Sequence, residues 1–366
     1  MSVLRFFQNL FRAKPEPQEF QTLPQMERAA ITLQNLVEEE KVPGISVTIL
    51  KNGESLLQKG YGYADISNQT PVDPLKTQFR IASISKCITG LAFGKMVEEG
   101  ILNWDDSLYE YVPYYPKKKY DFTLRQLASH TAGVRGYRGK EFAMNRPFGI
   151  KESIEVFKDD PLVFEPGTDY LYNSFDFVLL SLAMQEASGI PFQDYVAEKV
   201  LRPLDMSSTM APKDDKSQSI EIGQLQLAKF YTKRASRFKN AIEVANFYKL
   251  AGGGYLSTSA DIAKMGLAIL EGKLLKKKTF DQLFSSQQIG KNQTYYGLGY
   301  QVSQDRMGNS FIGHVGSSVG AYTNFFVYPE HNLVYSFLIN CTDPKVQAEL
   351  DLVVESTLLY TSNSMV

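Results

Sequence analysis

Strand-like runs lie near both ends of this chain with a long helix-patterned middle between them, so a single sheet is completed only if the two ends meet. Near the start, Met26, Ala29, Ala30, Leu33, Leu36 and Val37 recur at helical spacing until Pro43-Gly44 stops the element. Ile45, Val47 and Ile49 then alternate with Ser46 and Thr48, and Asn52-Gly53 supplies a turn pair that reverses the chain into Glu54 to Gly60. From Ser83 to about Leu250 the pattern is mainly helical, with segments at 83–99, 123–129, 175–187 and 191–201. After Gly252-Gly253-Gly254 a helix opens at Thr258, where Asp261 three residues on suits a capping box. Strand-like runs follow at 311–315, 321–328 and 333–339, and a last helix covers 346–359.

This order predicts an α/β (α+β) fold in which helices flank an antiparallel sheet. Residues 21–82 and 250–366 would form a discontinuous α/β lobe, and 83–249 a mainly helical one. A site is expected where the lobes join, since clefts are where sites form. Residues 1–20 would be a tail.

Composition narrows the function. With 39 Lys+Arg against 40 Asp+Glu, the net charge of -1 offers no field to attract nucleic acid. Two cysteines, Cys87 and Cys341, and three histidines, at 130, 314 and 331, are scattered in patterns that suit neither a metal site nor a disulfide framework. No apolar run reaches the roughly 18 to 20 residues that a membrane-spanning helix needs. The first residues carry no evident secretory signal, so a cytoplasmic location is expected, with mitochondrion and cell envelope as alternatives. That segment is basic, with Leu4, Phe7, Leu10 and Phe11 near one face, which makes it a candidate for peripheral membrane contact. The short runs Lys117 to Lys119 and Lys276 to Lys278 read as solvated surface.

Three short elements carry chemistry. Ser83-Ile84-Ser85-Lys86 fits S-x-x-K, a pattern so brief that it recurs at Ser236 to Lys239. Ser83 differs in position: it follows the apolar Phe79 to Ala82 and opens a helix, where three-residue spacing puts hydroxyl and amine on one face. A serine needs a base, and Lys86 becomes one only if burial or a neighbouring cation depresses its pKa. The second element, Pro166 to Ser174, sets Tyr172 just before a helix start, whose positive end would favour phenolate and a proton-relay role. In the third, Gly313-His314-Val315-Gly316-Ser317-Ser318, small residues would let a substrate lie along the sheet edge. The Ser317 and Ser83 N–H groups would form an oxyanion hole, and His314 would face the cleft as a polar or cationic partner for Tyr172.

In this order and at these separations the three elements resemble the serine β-lactamase and penicillin-binding-protein family, in its class C β-lactamase, D-alanyl-D-alanine peptidase and esterase branch. The likeness runs from about Met26 to the C-terminus. It is reinforced by Leu127 to Gly133, which looks like that branch's LLSHTSG loop, and by Ala251 to Thr258 and Tyr296 to Tyr300. Phe157 to Leu162 is similar to the family's mitochondrial β-lactamase-like members, although the long insertion that those carry after the LLSHTSG-like loop is absent. The resemblance implies a cofactor-free serine hydrolase with Ser83, Lys86 and Tyr172 as catalytic residues, acting on a small-molecule or peptide acyl substrate. Its nearest implied activity is peptide-bond hydrolysis.

Two positions depart from the family pattern. Ser174 stands where an asparagine amide commonly bridges lysine and substrate, and His314 where Lys-Thr-Gly begins. Both changes weaken recognition of a β-lactam, so a peptide or ester substrate is favoured over a β-lactamase or carboxypeptidase activity. Two rival readings exist. Gly316 to Gly320 also fits G-x-S-x-G with Ser318 as nucleophile, but that elbow must lead into a helix and the next residues read as strand. An inactive scaffold of the same fold would have no reason to keep Ser83, Lys86 and Tyr172 together.

Overall fold

The computed structural model describes residues 17–212, 225–235 and 237–363. Most of the anticipated N-terminal tail, and Ser236 of the second S-x-x-K match, lie outside them. By compactness the described residues up to Lys41, with those from Lys345 on, form one unit, and Val42–Pro344 the other.

The first unit holds helices α1 (Gln25–Glu38) and α5 (Gln347–Asn363). Helix α1 buries Ala29, Leu33 and Leu36, as their spacing predicts. At its end Lys41 donates to Glu349 at 2.7 Å, and that bond raises the lysine pKa.

The second unit is built on a seven-stranded sheet. Its strands are β1 (Gly44–Lys51), β2 (Glu54–Asp65), β3 (Thr70–Pro71), β4 (Gln301–Gln304), β5 (Ser310–Ser318), β6 (Ala321–Tyr328) and β7 (Leu333–Ile339), in the order β4-β5-β6-β7-β1-β2-β3. All neighbours are antiparallel. The early and late strands meet where β1 pairs with β7, from Ile45 opposite Ile339 to Lys51 opposite Leu333. In the β1–β2 turn Asn52 and Gly53 have φ of 51° and 81°, the left-handed pair that such a two-residue turn requires.

One face of the sheet carries helix α4 (Ser259–Leu270), packed on β1, β6 and β7. Gly266 permits the approach, since an added Cβ would run into Val334 and lie 2.9 Å from Phe325. The predicted cap is half made: Thr258 Oγ1 accepts the Asp261 N–H at 3.2 Å. The reciprocal bond is absent because the Asp261 carboxylate instead accepts from the Ser208 N–H and the Thr209 hydroxyl.

Two helices of the middle region matter for the site, α2 (Ser85–Glu98) and α3 (Phe175–Ser188), both with buried first turns. Strand β5 runs through Ser318, beyond the apolar run that marked it in the sequence, because pairing with β6 holds Gly316 opposite Thr323 and Ser317 opposite Tyr322.

Candidate active site

Ser83 sits at a corner. The strand Thr77–Arg80 pairs with Leu256–Ser257, a single 3-10 turn covers Ala82–Ile84, and α2 begins only at Ser85. The expected helix start at Ser83 therefore moves two residues on, because the chain must first change direction. It does so at Ala82, whose φ of 47° lies in the left-handed region. For a residue with a Cβ this costs on the order of 1 kcal/mol or more, so neighbours must hold it. The Thr323 hydroxyl donates to the Ile81 carbonyl at 3.0 Å, and the Ile81 N–H donates to Tyr255 O at 3.1 Å. Arg80 donates to Val319 O at 2.7 Å, with its guanidinium 4.0 Å from the centre of the Phe230 ring.

One turn further, the Lys86 amine is fully buried, 3.4 Å from Ser83 Oγ, and donates to the Gly252 carbonyl at 2.6 Å. The rings of Tyr172 and Phe177 lie 4.8 and 5.2 Å from it. Burial lowers its pKa to about 7, and no carboxylate forms an ion pair with it among the described residues. Lys86 is therefore substantially neutral at neutral pH, with a lone pair for the serine proton.

The Tyr172 hydroxyl donates to Ser83 Oγ at 2.7 Å. Its state differs from the sequence expectation. Part of the residue is exposed, 39 %, yet the enclosed setting of the hydroxyl pushes its pKa well above the usual phenol value. With a largely neutral lysine beside it, phenolate gains no cationic support, and the helix end does not make up the difference. Tyr172 is a neutral proton donor here.

On the sheet side, Gly316 packs against the corner: an added Cβ would lie inside van der Waals contact of Thr323 Oγ1, 2.9 Å from Ser83 N and 3.0 Å from Ala82 Cβ. The Val315 N–H is taken by Gln301 Oε1 at 3.0 Å, away from β6, and β4 pairing ends opposite Gly313. Strand alternation then turns the Ser317 N–H to the same open edge. The Ser83 N–H thus lies beside Gly316, one residue before the Ser317 N–H on the open edge of β5.

The surroundings of His314 and Ser174 narrow what each can do. His314 is 1 % exposed; its Nδ1 lies 2.6 Å from Val315 O and must carry the hydrogen, while Nε2 faces the Tyr296 hydroxyl at 3.0 Å. Burial, then repulsion from Lys86, lowers its pKa to about 3. Of the polar or cationic partner expected for Tyr172, it is the polar form that stands here: a neutral imidazole, buried rather than facing the cleft, whose ring centre is 5.8 Å from the tyrosine's. Ser174 forms no hydrogen bond to Lys86; the Gly252 carbonyl occupies the amine, and the Ser174 carbonyl lies beside Gly252. Ser318 precedes strand β6 rather than a helix, as the rival elbow would need.

Sequence reasoning missed Gly252 as the lysine's acceptor, His130 and Tyr296, whose rings lie beside Tyr172, and Asp176, which is paired with His130. Leu127 to Gly133 and Ala251 to Thr258 were visible as motifs, but a backbone carbonyl and a buried pair leave no side-chain spacing to read.

The family model for beta-lactamase matches residues 29–358. The chain is 31% identical over 311 residues to the serine beta-lactamase-like protein LACTB, mitochondrial, of Homo sapiens, covering 66% of this chain and 55% of that protein. It thus spans about half the length of the curated relatives of this kind. Among solved structures, it is similar to the octameric penicillin-binding protein homologue from Pyrococcus abyssi, with TM-score 0.79 and 24% identity, covering 91% of this chain and 77% of that one. It is also similar to the D-amino acid amidase from Ochrobactrum anthropi SV3, with TM-score 0.77 and 19% identity, covering 92% and 100%. At these identities the two structures speak for the fold.

Proposed function

The chain belongs to the beta-lactamase family of serine hydrolases, and from that premise we propose that it cleaves small esters or short peptide amides through an acyl-enzyme on Ser83. The observation that carries this reading is Ser83 Oγ held between a largely neutral buried amine and a neutral phenol.

Lys86 Nζ takes the Ser83 proton as Oγ attacks the carbonyl carbon, and the oxyanion is received by the N–H groups of Ser83 and Ser317. When the tetrahedral species collapses, the bond to the leaving alkoxide or amine breaks, Tyr172 O–H protonates the departing atom, and the Lys86 ammonium returns a proton to Tyr172. Water then attacks the acyl group with the same residues in reverse, releasing the acid and restoring Ser83. The chemistry needs no cofactor.

Between substrates, Ser174 and His314 decide. Neither offers the amide or the cation that would hold a β-lactam's side chain and carboxylate, and a missing polar partner costs orders of magnitude in kcat/KM. A p-nitrophenyl ester and a peptide anilide should both outperform nitrocefin; a wide advantage for nitrocefin would make the protein a β-lactamase instead. The LACTB likeness, at 31% identity, supports a serine nucleophile, the likeness to an amidase supports an amide substrate, and esters ask least of the site.

Fluorophosphonate labelling followed by peptide mass spectrometry tests the nucleophile. The adduct is expected on Ser83 and lost in Ser83→Ala. An adduct on Ser318 would overturn the assignment, and an unreactive protein would favour a binding or scaffold role.

A further inference from the structure

The segment Leu127 to Gly133 takes no part in the steps above, yet it sets a histidine ring against the proton donor. His130 is fully buried, with a left-handed φ of 62°, and its ring centre lies 4.6 Å from that of Tyr172. Its Nδ1 is 2.8 Å from Oδ2 of Asp176, a fully buried residue in the first turn of α3. Asn173 joins the two ends of this arrangement. Its Nδ2 donates to Asp176 Oδ2 at 2.6 Å and to the Leu171 carbonyl at 3.0 Å, and its Oδ1 accepts the Asp176 N–H at 2.8 Å. The Leu171 N–H in turn donates to the His130 carbonyl at 3.0 Å. Tyr172 is therefore flanked by two residues tied to the same buried pair, and its ring rests on one member of it.

We propose that His130 and Asp176 are a positioning pair that holds the Tyr172 hydroxyl on Ser83. They act by placement and not as a proton relay: among the described residues neither His130 Nε2 nor Asp176 Oδ1 has a hydrogen-bond partner, so no side chain among them links the pair to Ser83. Burial is the main influence on both groups and drives both toward their uncharged forms, so the Asp176 carboxyl donates its proton toward His130 Nδ1, the imidazole keeps its own hydrogen, and the pair stays neutral. The titratable groups that influence or face it are Lys86 from α2, His314 from β5, and Tyr170, Tyr172 and Tyr296, and none supplies a negative charge that would ionise the histidine. A neutral pair also leaves Lys86 without an ionised carboxylate that would keep it protonated.

The inference rests on the reading of Ser83, Lys86 and Tyr172 as the reacting groups. Its test is a double-mutant cycle of His130→Asn with Tyr172→Phe on a simple alkyl ester, whose alkoxide needs a proton to leave. Asparagine tolerates the left-handed backbone but removes the ring. In the wild-type background His130→Asn should lower kcat by about ten- to a hundredfold with KM within about threefold, and in the Tyr172→Phe background by less than about twofold. Asp176→Asn, which keeps size and polarity, should show the same dependence on Tyr172 with a smaller loss, and it carries the test should His130→Asn not fold. An equal fold-loss in both backgrounds would overturn the proposal, since a residue needed only for folding does not act through Tyr172. Wild-type protein that turns over no ester and takes no label at Ser83 would overturn the functional reading itself, a result separable from an additive cycle.

Discussion

Lys86 and Lys249 are both buried, with no ion-pair partner among the described residues, and both have a depressed amine pKa, about 7 and about 8. Their surroundings differ. Lys86 has Ser83 Oγ within 3.4 Å, and a phenol donates to the same oxygen. Lys249, 7 % exposed, donates to the Phe142 carbonyl at 2.9 Å and lies 5.7 Å from the rings of both Tyr137 and Tyr248. Burial is the leading cause of both shifts. A lowered pKa thus marks a desolvated amine, and only a hydroxyl within reach makes that amine a base.

The sharpest way to break this contrast is to truncate each lysine. Lys86→Met should lower kcat for a p-nitrophenyl ester by roughly two to four decades, whereas Lys249→Met should stay within about threefold of wild type. Comparable losses would mean that Lys249 also serves the reaction. Tyr172→Phe separates acid from base: it should cost about two decades on an alkyl ester, and clearly less on a p-nitrophenyl ester, whose leaving group departs without a proton. Equal losses on the two esters would remove the acid role.

Next in size is Gly316→Ala, expected to lower kcat/KM by about ten- to a hundredfold, because the new Cβ presses on Ser83 N and Ala82 Cβ. Gly252→Ala, whose Cβ would stay 3.3 Å or more from its neighbours, should be milder. A reversal of that order would locate the critical contact at the lysine's acceptor instead.

The pH dependence follows from Lys86 and not from His314. The base works unprotonated, so kcat/KM should rise about tenfold per unit below a pKa of about 7 and level off above it. His314, held neutral down to about 3, adds no inflection between pH 5 and 9. An acid limb that persists in His314→Gln supports this; one that disappears assigns it to the histidine. The smallest effect is on stability. In both lysines the folded pKa lies below the unfolded 10.5, so the unfolded chain binds more protons and stability rises with pH from about 7 for Lys86, and from about 8 for Lys249, up to 10.5. At pH 7 the penalty is on the order of 4 kcal/mol for Lys86 and 3 for Lys249 before hydrogen bonds offset it. Either methionine variant should therefore raise the melting temperature by a few degrees in calorimetry; a fall in both would mean that the carbonyl bonds outweigh desolvation.

Pattern reading reached the sheet because alternation and turn chemistry are local. Ile45, Val47 and Ile49 and the Asn52-Gly53 pair specify their strand and turn without help from elsewhere. Ser83, Lys86 and Tyr172 were legible because their spacing is itself chemical information. His314 stayed open between a polar and a cationic role because its neutrality is set by burial and by Tyr296 and Val315, which no spacing encodes. Tyr172 was misread as phenolate for the same reason: the helix end was visible, the desolvation was not. The left-handed Ala82 has no sequence signature at all, since alanine is not a residue one expects there.

The pairing of β1 with β7 has a consequence for how the molecule comes into being. During synthesis β1 and β2 emerge well before their partner on the β1 edge, since β2 ends at Asp65 and β7 begins only at Leu333. Until β7 is in place, β5 and β6 have no strand that joins them to β1 and β2, so on the proposed reading Ser83 lacks the β5 edge beside it however well the helices form. The same long-range closure makes slow folding the expectation, with an apolar strand edge open to wrong partners in the interval.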